Sequence, residues 1–404
     1  MAHNDHSAVI NARAVARLRA GHVWVYRSDL VQAPKTEPGA LVDVRDERKR
    51  TFGSAFYSTT SQIALRMLSP QTASAVGPIP ELVRSRLVAA WDYRRKIVRE
   101  SDACRVVFSE ADALPGLIVD RYADLVTFQV LTQAFDQPQL RETVLGWIRE
   151  KLSPACILER VDARIRQLES LAPREDSVVF TRDGESPRTS TEFHMNGVRF
   201  RYDAAGGQKT GAFLDQRENY AAAERHARGD ALDVFCYQGG FALHLARVCS
   251  QVTAVDSSRP ALEVAEQNEK LNAAGRKGPE IEWMEANAFD LLKDYSSNGK
   301  QYDTIVLDPP AFAKSARNLP TAMRGYKELN LRALKMLRPG GTLVTCSCSY
   351  HVEAQLFLEM MASAAADAHR SVRVLERRGA ALDHPAVVGI PETDYLKCFI
   401  FHVS

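Results

Sequence analysis

The C-terminal half of the chain repeats one pattern, in which a short apolar run is followed by a turn and then by a helical window. Five such runs follow Phe193, at residues 231–235, 251–255, 281–284, 302–307 and 341–346. Strands that alternate with helices form a mostly parallel sheet covered on both faces, and ligands bind at the carboxyl ends of its strands. The pattern therefore predicts an α/β domain over residues 193–404, with functional residues in the loops that follow the strands.

The first of these strands runs into a glycine loop. Residues 233–241 read DVFCYQGGF, and the two glycines precede a helix predicted over 241–248. Glycine allows a backbone to approach a ligand where a Cβ atom would collide. The loop is not a complete G-x-G-x-x-G, which disfavours a dinucleotide and favours S-adenosylmethionine, a cofactor without phosphate. The residues of this segment that we predict to bind it are Asp233, Phe235, Tyr237, Gly239 and Gly240.

An acidic residue ends the second strand. Asp256 follows Gly239 by seventeen positions, close to the spacing of about twenty at which an acid accepts hydrogen bonds from a ribose. The alternative is that Asp256 caps the helix predicted over 261–271. Ser257, the next residue, is a further candidate cofactor contact.

The strand over 302–307 ends in Asp308-Pro309-Pro310-Ala311-Phe312. Two prolines stiffen this loop and can hold the Asp308 carboxylate beside the methyl group of the cofactor. Asp-Pro-Pro followed by an aromatic residue is typical of sites that bind a planar base by hydrogen bonds and stacking, and a plain turn is the alternative. We therefore predict that Asp308 and Pro309 line the cofactor site and that Asp308 also faces the base.

Two cysteines, Cys346 and Cys348, stand at the end of the last parallel strand and are predicted to share a face over the same cleft. Carbon 5 of a pyrimidine is a poor nucleophile, so its methylation requires a thiolate that adds to carbon 6. The sequence predicts Cys348 as this nucleophile, because it stands at the strand end while Cys346 lies one pleat inside. Asp308 is predicted to stabilise the charge that develops on the ring.

The N-terminal half has a different character. Residues 1–75 alternate short β-like runs with turns, and a basic hairpin carries Arg45, Arg48, Lys49 and Arg50. A linker rich in serine and proline over 69–80 and a helix predicted over 81–99 open a second domain. We predict an RNA-binding β domain at 1–75 and a central α/β domain at 76–192, with the alternative that the basic hairpin is only a solvated turn.

Composition narrows the class of protein. The formal net charge is only +2, so binding to a polyanion must rest on local clusters of charge. Seven irregularly spaced cysteines build neither a disulfide framework nor a zinc site. The N-terminus has no apolar signal segment, and no stretch reaches the length of about twenty apolar residues that spans a bilayer. These observations predict a cytoplasmic protein that is not inserted in a membrane.

At these residues the chain resembles the RlmI-type family of bacterial class I ribosomal RNA cytosine-5 methyltransferases. The resemblance covers nearly the whole chain. The blocks that carry it are HVWVY (22–26), AFYSTTSQIALR (55–66), EADALPGLIVDRY (110–122), KTGAFLDQREN (209–219), the glycine loop, Asp308-Pro309-Pro310, Ser347-Cys348-Ser349, Asp383-His384-Pro385 and Tyr395-Leu396-Lys397.

The resemblance implies an N-terminal PUA domain, a central α/β domain and a Rossmann-like catalytic domain with a mostly parallel seven-stranded sheet. It implies S-adenosylmethionine as cofactor and large-subunit ribosomal RNA as substrate. Residues 209–219 look like a strand that covers the cofactor in this family. The candidates that the resemblance adds are Phe213, Asp215, Gln216, Arg217, Asn287 and Ala288 for the cofactor, and Arg66 and Lys314 for RNA.

The chain departs from its relatives at two points. Asn287 replaces an acid that binds the adenine amine in many relatives, and its carbonyl could still accept that hydrogen bond. Two-cysteine RNA methyltransferases carry a product-releasing cysteine in the Asp-Pro-Pro motif, where this chain has Ala311 and Phe312. Release must then rely on another base.

Two other functions stay open at this point. They are methylation of a base nitrogen, which needs no thiol, and an inactive ribosome-assembly module. The oligomeric state is also open, with a homodimer among the options.

Overall fold

The structure, a computed structural model, describes residues 6–204, 212–273, 278–313 and 315–404. The chain divides into two compact units. The first contains the chain up to Thr191 together with Leu382–Thr393, and the second contains most residues from Glu192 to Ala381 together with Asp394–Ser404.

The first unit begins with a six-stranded sheet of order β2-β6-β5-β4-β1-β3, in which only β1 and β4 pair in parallel. Its elements are β1 (Ser7–Ile10), α1 (Ala12–Arg19), β2 (Trp24–Tyr26), β3 (Leu30–Gln32), β4 (Leu41–Asp46), β5 (Thr51–Tyr57) and β6 (Ile63–Ser69). Residues along β4 alternate between buried and half-buried, so Val42 and Val44 enter the core while Asp43 and Arg45 face outward.

A second sheet in this unit has the order β11-β10-β9-β8-β7, with β9 and β10 parallel. Its elements are α2 (Ile79–Ile97), β7 (Ala103–Phe108), β8 (Leu117–Tyr122), β9 (Leu125–Val130), α3 (Gln133–Asp136), α4 (Pro138–Leu152), β10 (Cys156–Glu159), α5 (Ala163–Leu168) and β11 (Ser177–Thr181). Helix α2 buries Val83, Leu87 and Ala90, whose spacing places them on one face. Phe56 and Leu68 of the first sheet belong to the same hydrophobic cluster. The predicted boundaries at residues 75 and 192 remain predictions.

The second unit contains the hairpin β12-β13 and a seven-stranded sheet of order β16-β15-β14-β17-β18-β20-β19. Its elements are β12 (Ser190–Met195), β13 (Val198–Asp203), α6 (Arg217–His226), β14 (Asp230–Val234), α7 (Gly240–Leu245), β15 (Gln251–Asp256), α8 (Arg259–Leu271), β16 (Ile281–Glu285), α9 (Ala288–Ser297), β17 (Tyr302–Leu307), α10 (Leu319–Met336), β18 (Leu337–Ser347), α11 (Ala354–Asp367), β19 (Val372–Arg378) and β20 (Lys397–Val403). Strands β14 to β18 pair in parallel, and β20 pairs antiparallel with β18 and β19. The predicted mostly parallel seven-stranded sheet is confirmed.

The strand order fixes where a ligand can bind. From β14 the chain proceeds to β15 and β16 on one side, and then returns to β17 and β18 on the other. Loops that leave neighbouring strands in opposite directions open a crevice at their carboxyl ends. Phe235 follows β14 and Asp308 follows β17, so both stand at this crevice.

Among the described residues, no helix combines the length and the apolar character that crossing a membrane requires.

Candidate active site

A cavity of about 590 Å³ opens at the crevice of the seven-stranded sheet. Its wall contains most of the residues that the sequence nominated for the cofactor and for catalysis. These are Phe213, Asp215, Gln216, Phe235, Tyr237, Gly240, Asp256, Ser257, Asp308, Pro309 and Cys348. Loops after β14, β15, β17 and β18 thus converge on one space.

The other nominated cofactor residues, Arg217, Asp233, Gly239, Asn287 and Ala288, are not among the residues that line this cavity. Arg217 is buried at the start of α6. Asn287 caps α9, because its side-chain oxygen accepts hydrogen bonds from the amides of Phe289 at 2.9 Å and Asp290 at 3.3 Å. Ala288 is the first residue of that helix. The carbonyl that the sequence offered to the adenine amine is therefore occupied by the helix cap.

Asp233 is wholly buried in β14. Burial, together with the charges of Asp308 and Asp256, holds the pKa of its carboxyl well above the usual range. The amide of Ala242 is the backbone donor that faces it and opposes this shift. Asp233 therefore lies beneath the glycine loop rather than on the cavity wall.

Asp256 connects the loops after β14 and β15. Its carboxylate accepts hydrogen bonds from the amides of Tyr237 and Ser258, both at 2.9 Å. The cap of α8 is Ser258, whose hydroxyl accepts a hydrogen bond from the amide of Ala261. The alternative of Asp256 as helix cap is therefore wrong, and its carboxylate lies on the cavity wall.

Glycine is required at both loop positions because neighbouring protein side chains leave no room for a Cβ atom. A Cβ atom on Gly239 would lie 2.7 Å from the ring of Trp283, and one on Gly240 would lie 2.4 Å from the ring of Tyr220. The expectation that a side chain at Gly239 would enter the cofactor space is wrong, because that direction leads to Trp283. Gly239 also has φ +86°, a conformation that L-residues rarely adopt.

These contacts predict the effect of a single methyl group in the loop. We expect Gly239→Ala to lower the free energy of unfolding by about 2 to 4 kcal/mol, since strain at positive φ adds to the collision with Trp283. Affinity for S-adenosylmethionine should fall as well, because the loop must shift. Gly299→Ala is the control, since Gly299 has φ +69° but open space around it. Urea unfolding measures the free energy of unfolding, and titration calorimetry measures the affinity for S-adenosylmethionine. An equal loss of stability in Gly239→Ala and Gly299→Ala, with cofactor affinity unchanged in both, would contradict this account.

Asp308 lies in the loop after β17, half-buried on the cavity wall. Its Oδ2 accepts a hydrogen bond from Nε2 of Gln216 at 2.9 Å. Burial and the neighbouring Asp215 raise the pKa of Asp308 to about 7, although hydrogen bonds from Gln216 and from the Cys346 thiol oppose the shift. At neutral pH this carboxyl can therefore both donate and accept a proton.

The two predicted thiols have different surroundings. Strand β18 ends at Ser347, so Cys346 lies inside the sheet, directly opposite Cys398 of β20, and is fully buried. Cys348 stands beyond the strand, half-buried on the cavity wall. Its thiol is 3.9 Å from the carbonyl oxygen of Pro309. The expectation that both thiols face the cleft holds for Cys348 alone, because Cys346 does not line the cavity and its thiol contacts Asp308 from inside the sheet.

Electrostatics around Cys348 disfavour its thiolate in the protein alone. Burial and the charges of Asp308 and Asp215 raise the pKa of Cys348 to about 11, and the ammonium group of Lys397 opposes the shift. Lys397 is buried opposite Ser347, and its Nζ donates to the carbonyl oxygens of Ser349 and Tyr395, each at 2.8 Å.

Sequence reasoning assigned no role to Tyr395 or Lys397. The hydroxyl of Tyr395 donates to Oδ2 of Asp215 at 2.6 Å, and Tyr395 lines the cavity. Lys397 reaches the site through the antiparallel pairing of β20 with β18, and Tyr395 precedes that strand by two residues. The only available signal was the Tyr395-Leu396-Lys397 block of the family resemblance.

The basic hairpin lies between β4 and β5, as predicted. Arg48 and Lys49 are exposed, whereas Arg50 pairs with Asp46 and Arg45 pairs with Asp43. Arg66 lies apart from them, because it is largely buried in an ion pair with Glu110 and packs over the ring of Trp24. Lys314 is outside the described residues.

Fold and cavity together define a class I methyltransferase. The model of the S-adenosylmethionine-dependent methyltransferase family matches residues 104–392, and that of a PUA-like domain matches residues 9–70. A solved structure described as a methyltransferase complexed with SAH superposes with a TM-score of 0.82 at 18% identity, covering 98% of this chain and 99% of that one. At that identity it speaks for the fold alone.

The sequence relatives are more specific. Ribosomal RNA large subunit methyltransferase I of Photobacterium profundum is 35% identical over 96% of each chain. The protein of the same name from Shewanella amazonensis is 37% identical over 95% of each chain. The chain belongs to the ribosomal RNA large subunit methyltransferase I family, and its cofactor is S-adenosylmethionine.

Proposed function

We propose that this protein transfers a methyl group from S-adenosylmethionine to carbon 5 of a cytosine in large-subunit ribosomal RNA, through a covalent bond between Cys348 and the base. One observation carries the proposal. The thiol of Cys348 and the carboxyl of Asp308 belong to the same wall of the cavity in a methyltransferase fold.

The two groups supply complementary chemistry. In the proposed reaction the Cys348 sulfur adds to carbon 6 of cytosine, while Asp308 gives a proton to ring nitrogen 3 and so neutralises the electron pair displaced there. Carbon 5 becomes nucleophilic as an enamine carbon and would take the methyl group, whose bond to the cofactor sulfur breaks, so that S-adenosylhomocysteine leaves with that electron pair. A base then removes the proton from carbon 5. The double bond between carbon 5 and carbon 6 re-forms as the Cys348 sulfur leaves carbon 6 with its bonding pair, and nitrogen 3 loses its proton.

The cavity suits the cofactor. Its volume lies within the range of about 300 to 1,000 Å³ that is usual for small-ligand sites. Asp256 retains acceptor capacity for ribose hydroxyls beyond its two amide bonds. Phe213 and Tyr237 provide an aromatic corner with ring centroids 5.1 Å apart. When bound, S-adenosylmethionine supplies an electrophilic methyl group on a cationic sulfonium, which becomes the substituent on carbon 5.

The pKa values of Asp308 and Cys348 fit an acid and a thiol that act together. With a pKa of about 7, Asp308 is protonated below neutrality. With a pKa of about 11, Cys348 is mostly a thiol in the protein alone. A cation in the same cavity favours the thiolate, so Cys348 is expected to become reactive chiefly in the loaded enzyme.

RNA affinity is proposed to come in part from the exposed hairpin residues Arg48 and Lys49. Phosphate contacts position RNA without reading its sequence, and each contributes to the salt dependence of binding. Replacing both residues with glutamine should weaken RNA binding and lower the slope of log K against log salt by about 1 to 2. The matched control removes two exposed charges at the end of α2, Lys96→Gln and Arg99→Gln. Equal slopes for the two double variants would mean that the hairpin is only a solvated turn.

Point variants are preferable to removal of the N-terminal domain. Phe56 and Leu68 pack into the cluster formed with α2 and α4, so deletion would expose that core.

Nucleoside analysis tests the proposed function. Large-subunit ribosomal RNA from a strain that lacks this gene should lose one 5-methylcytidine, and the purified protein should restore it in vitro. Loss of an N-methylated base instead would favour methylation at nitrogen. An unchanged methylation pattern would favour an inactive assembly protein. A ribosomal RNA substrate also implies a cytoplasmic location, whereas the comparisons give no support to a homodimer.

A further inference from the structure

A chain of hydrogen bonds runs from Asp308 away from the cavity. Nε2 of Gln216 donates to Asp308 at 2.9 Å, and Nδ2 of Asn219 donates to Oε1 of Gln216 at 2.6 Å. Nε of Arg378 donates to Oδ1 of Asn219 at 2.9 Å. Gln216 and Asn219 are only 3% and 1% exposed, so each amide depends on these partners.

These hydrogen bonds all run from donor to acceptor toward Asp308, because they begin at Arg378, a group that can only donate. A guanidinium has no acceptor, so Asn219 must turn its carbonyl oxygen toward Arg378. Its amide nitrogen then faces Gln216, and it also donates to the carbonyl oxygen of Gly379 at 3.0 Å. Gln216 must therefore present its own nitrogen to Asp308. Without the cation, both amides could turn over, and Gln216 would oppose the Asp308 carboxylate with an oxygen.

Arg378 is itself held in place at the far end. It pairs with Glu376 at 2.7 Å, and Glu376 also contacts His226 at 2.7 Å. Burial opposes ionisation of Glu376, but hydrogen bonds from His226 and Arg378 outweigh it and lower its pKa to about 2. The segment after β19 is attached to the site a second time, since the amide of Ala381 donates to the carbonyl oxygen of Asp215 at 2.7 Å.

We propose that Arg378 and Asn219 are positioning residues for methyl transfer, because they fix the side of the Gln216 amide that faces Asp308. The inference rests on the proposed function, in which Asp308 acts as the acid. Neither residue lines the cavity, so both act through Gln216.

The pH dependence of the reaction reports on this arrangement. If Asp308 must be protonated and Cys348 ionised, kcat/KM rises tenfold per pH unit below the pKa of Asp308 and levels off above it. Other ionisable groups also act on the Asp308 carboxyl or feel its charge. They are Asp215, Tyr220, Asp233, Cys346 and Cys348. Loss of the Gln216 donor disfavours the carboxylate, so the pH at which kcat/KM levels off should move upward.

The test compares two arginines on the same strand. Arg378→Met removes the donor, and Arg377→Met alters its exposed neighbour. We expect Arg378→Met to raise the pH at which kcat/KM levels off by about one unit, whereas kcat/KM at pH 6, where Asp308 is already protonated, should change little. Affinity for S-adenosylmethionine should be unchanged. Arg378→Lys, which keeps a cationic donor, should restore most of the profile, and Arg377→Met should match the wild type.

A second variant makes the test independent of the folding of the first. Asn219→Ala interrupts the hydrogen bonds one residue nearer to Asp308. It should likewise raise the pH at which kcat/KM levels off. A levelling pH unchanged from the wild type in Arg378→Met or in a folded Asn219→Ala would overturn the inference, as would an equal shift in Arg377→Met. Failure of the proposed function can be distinguished from failure of this inference, because kcat/KM of the wild type itself would then not level off near pH 7.

Discussion

Cys348→Ala is expected to lower methyl transfer to RNA by roughly 10⁴-fold or more, because a nucleophile cannot be replaced by a methyl group. Cofactor binding should persist, since only one wall residue of a cavity of about 590 Å³ changes. Single-turnover kinetics with labelled S-adenosylmethionine and calorimetry separate the two effects.

Cys346→Ala is the matched control, since Cys346 is a second cysteine two residues away, within β18. Cys346 is fully buried, so the variant should lose about 1 kcal/mol of stability and keep most of its activity. The reverse pattern would make Cys346 the nucleophile. Full activity in both variants would overturn the carbon-5 mechanism and favour methylation at nitrogen.

Asp308→Asn is expected to lower kcat by about 10² to 10⁴-fold. Asparagine keeps the shape of the side chain and can still accept the hydrogen bond from Gln216, but it cannot give a proton to the ring. With the acid removed, kcat/KM should continue to rise with pH above 7 instead of levelling off. Rate measurements across pH 5.5 to about 9 reveal this change of form.

Asp256→Asn separates acid chemistry from cofactor binding. Asp256 lies on the wall of the same cavity but holds the amides of Tyr237 and Ser258. Its replacement should weaken S-adenosylmethionine binding, but kcat/KM should still level off near pH 7. If Asp308→Asn instead loses only cofactor affinity, with kcat unchanged, Asp308 is a binding residue and not the acid.

The sequence was informative wherever a signal is local. The apolar runs of β14 and β17 lie in a sheet covered on both faces, so their bounds could be predicted within about one residue. Asp308 and Cys348 could be nominated because they stand directly after such strands. The glycine loop could be recognised, but the reason for its glycines could not, because Trp283 and Tyr220 come from other parts of the chain.

Long-range pairing explains what the sequence could not reveal. Lys397 reaches the site because β20 pairs antiparallel with β18, in a register that no local pattern encodes. Arg378 acts across about 160 positions through its bond to Asn219. Asn287 is a case of the opposite kind, since an apparent ligand residue proved to be the cap of α9.

The covalent bond between protein and base is the central claim, and a trapping experiment tests it most directly. RNA that contains 5-azacytidine cannot release the enzyme by loss of a proton from carbon 5, because nitrogen occupies that position. Incubation of such RNA with the protein and S-adenosylmethionine should yield an adduct that survives SDS, and mass spectrometry should locate the nucleotide on the peptide that contains Cys348. Methyl transfer to the unmodified RNA without any adduct, or an adduct on Cys346, would contradict the account.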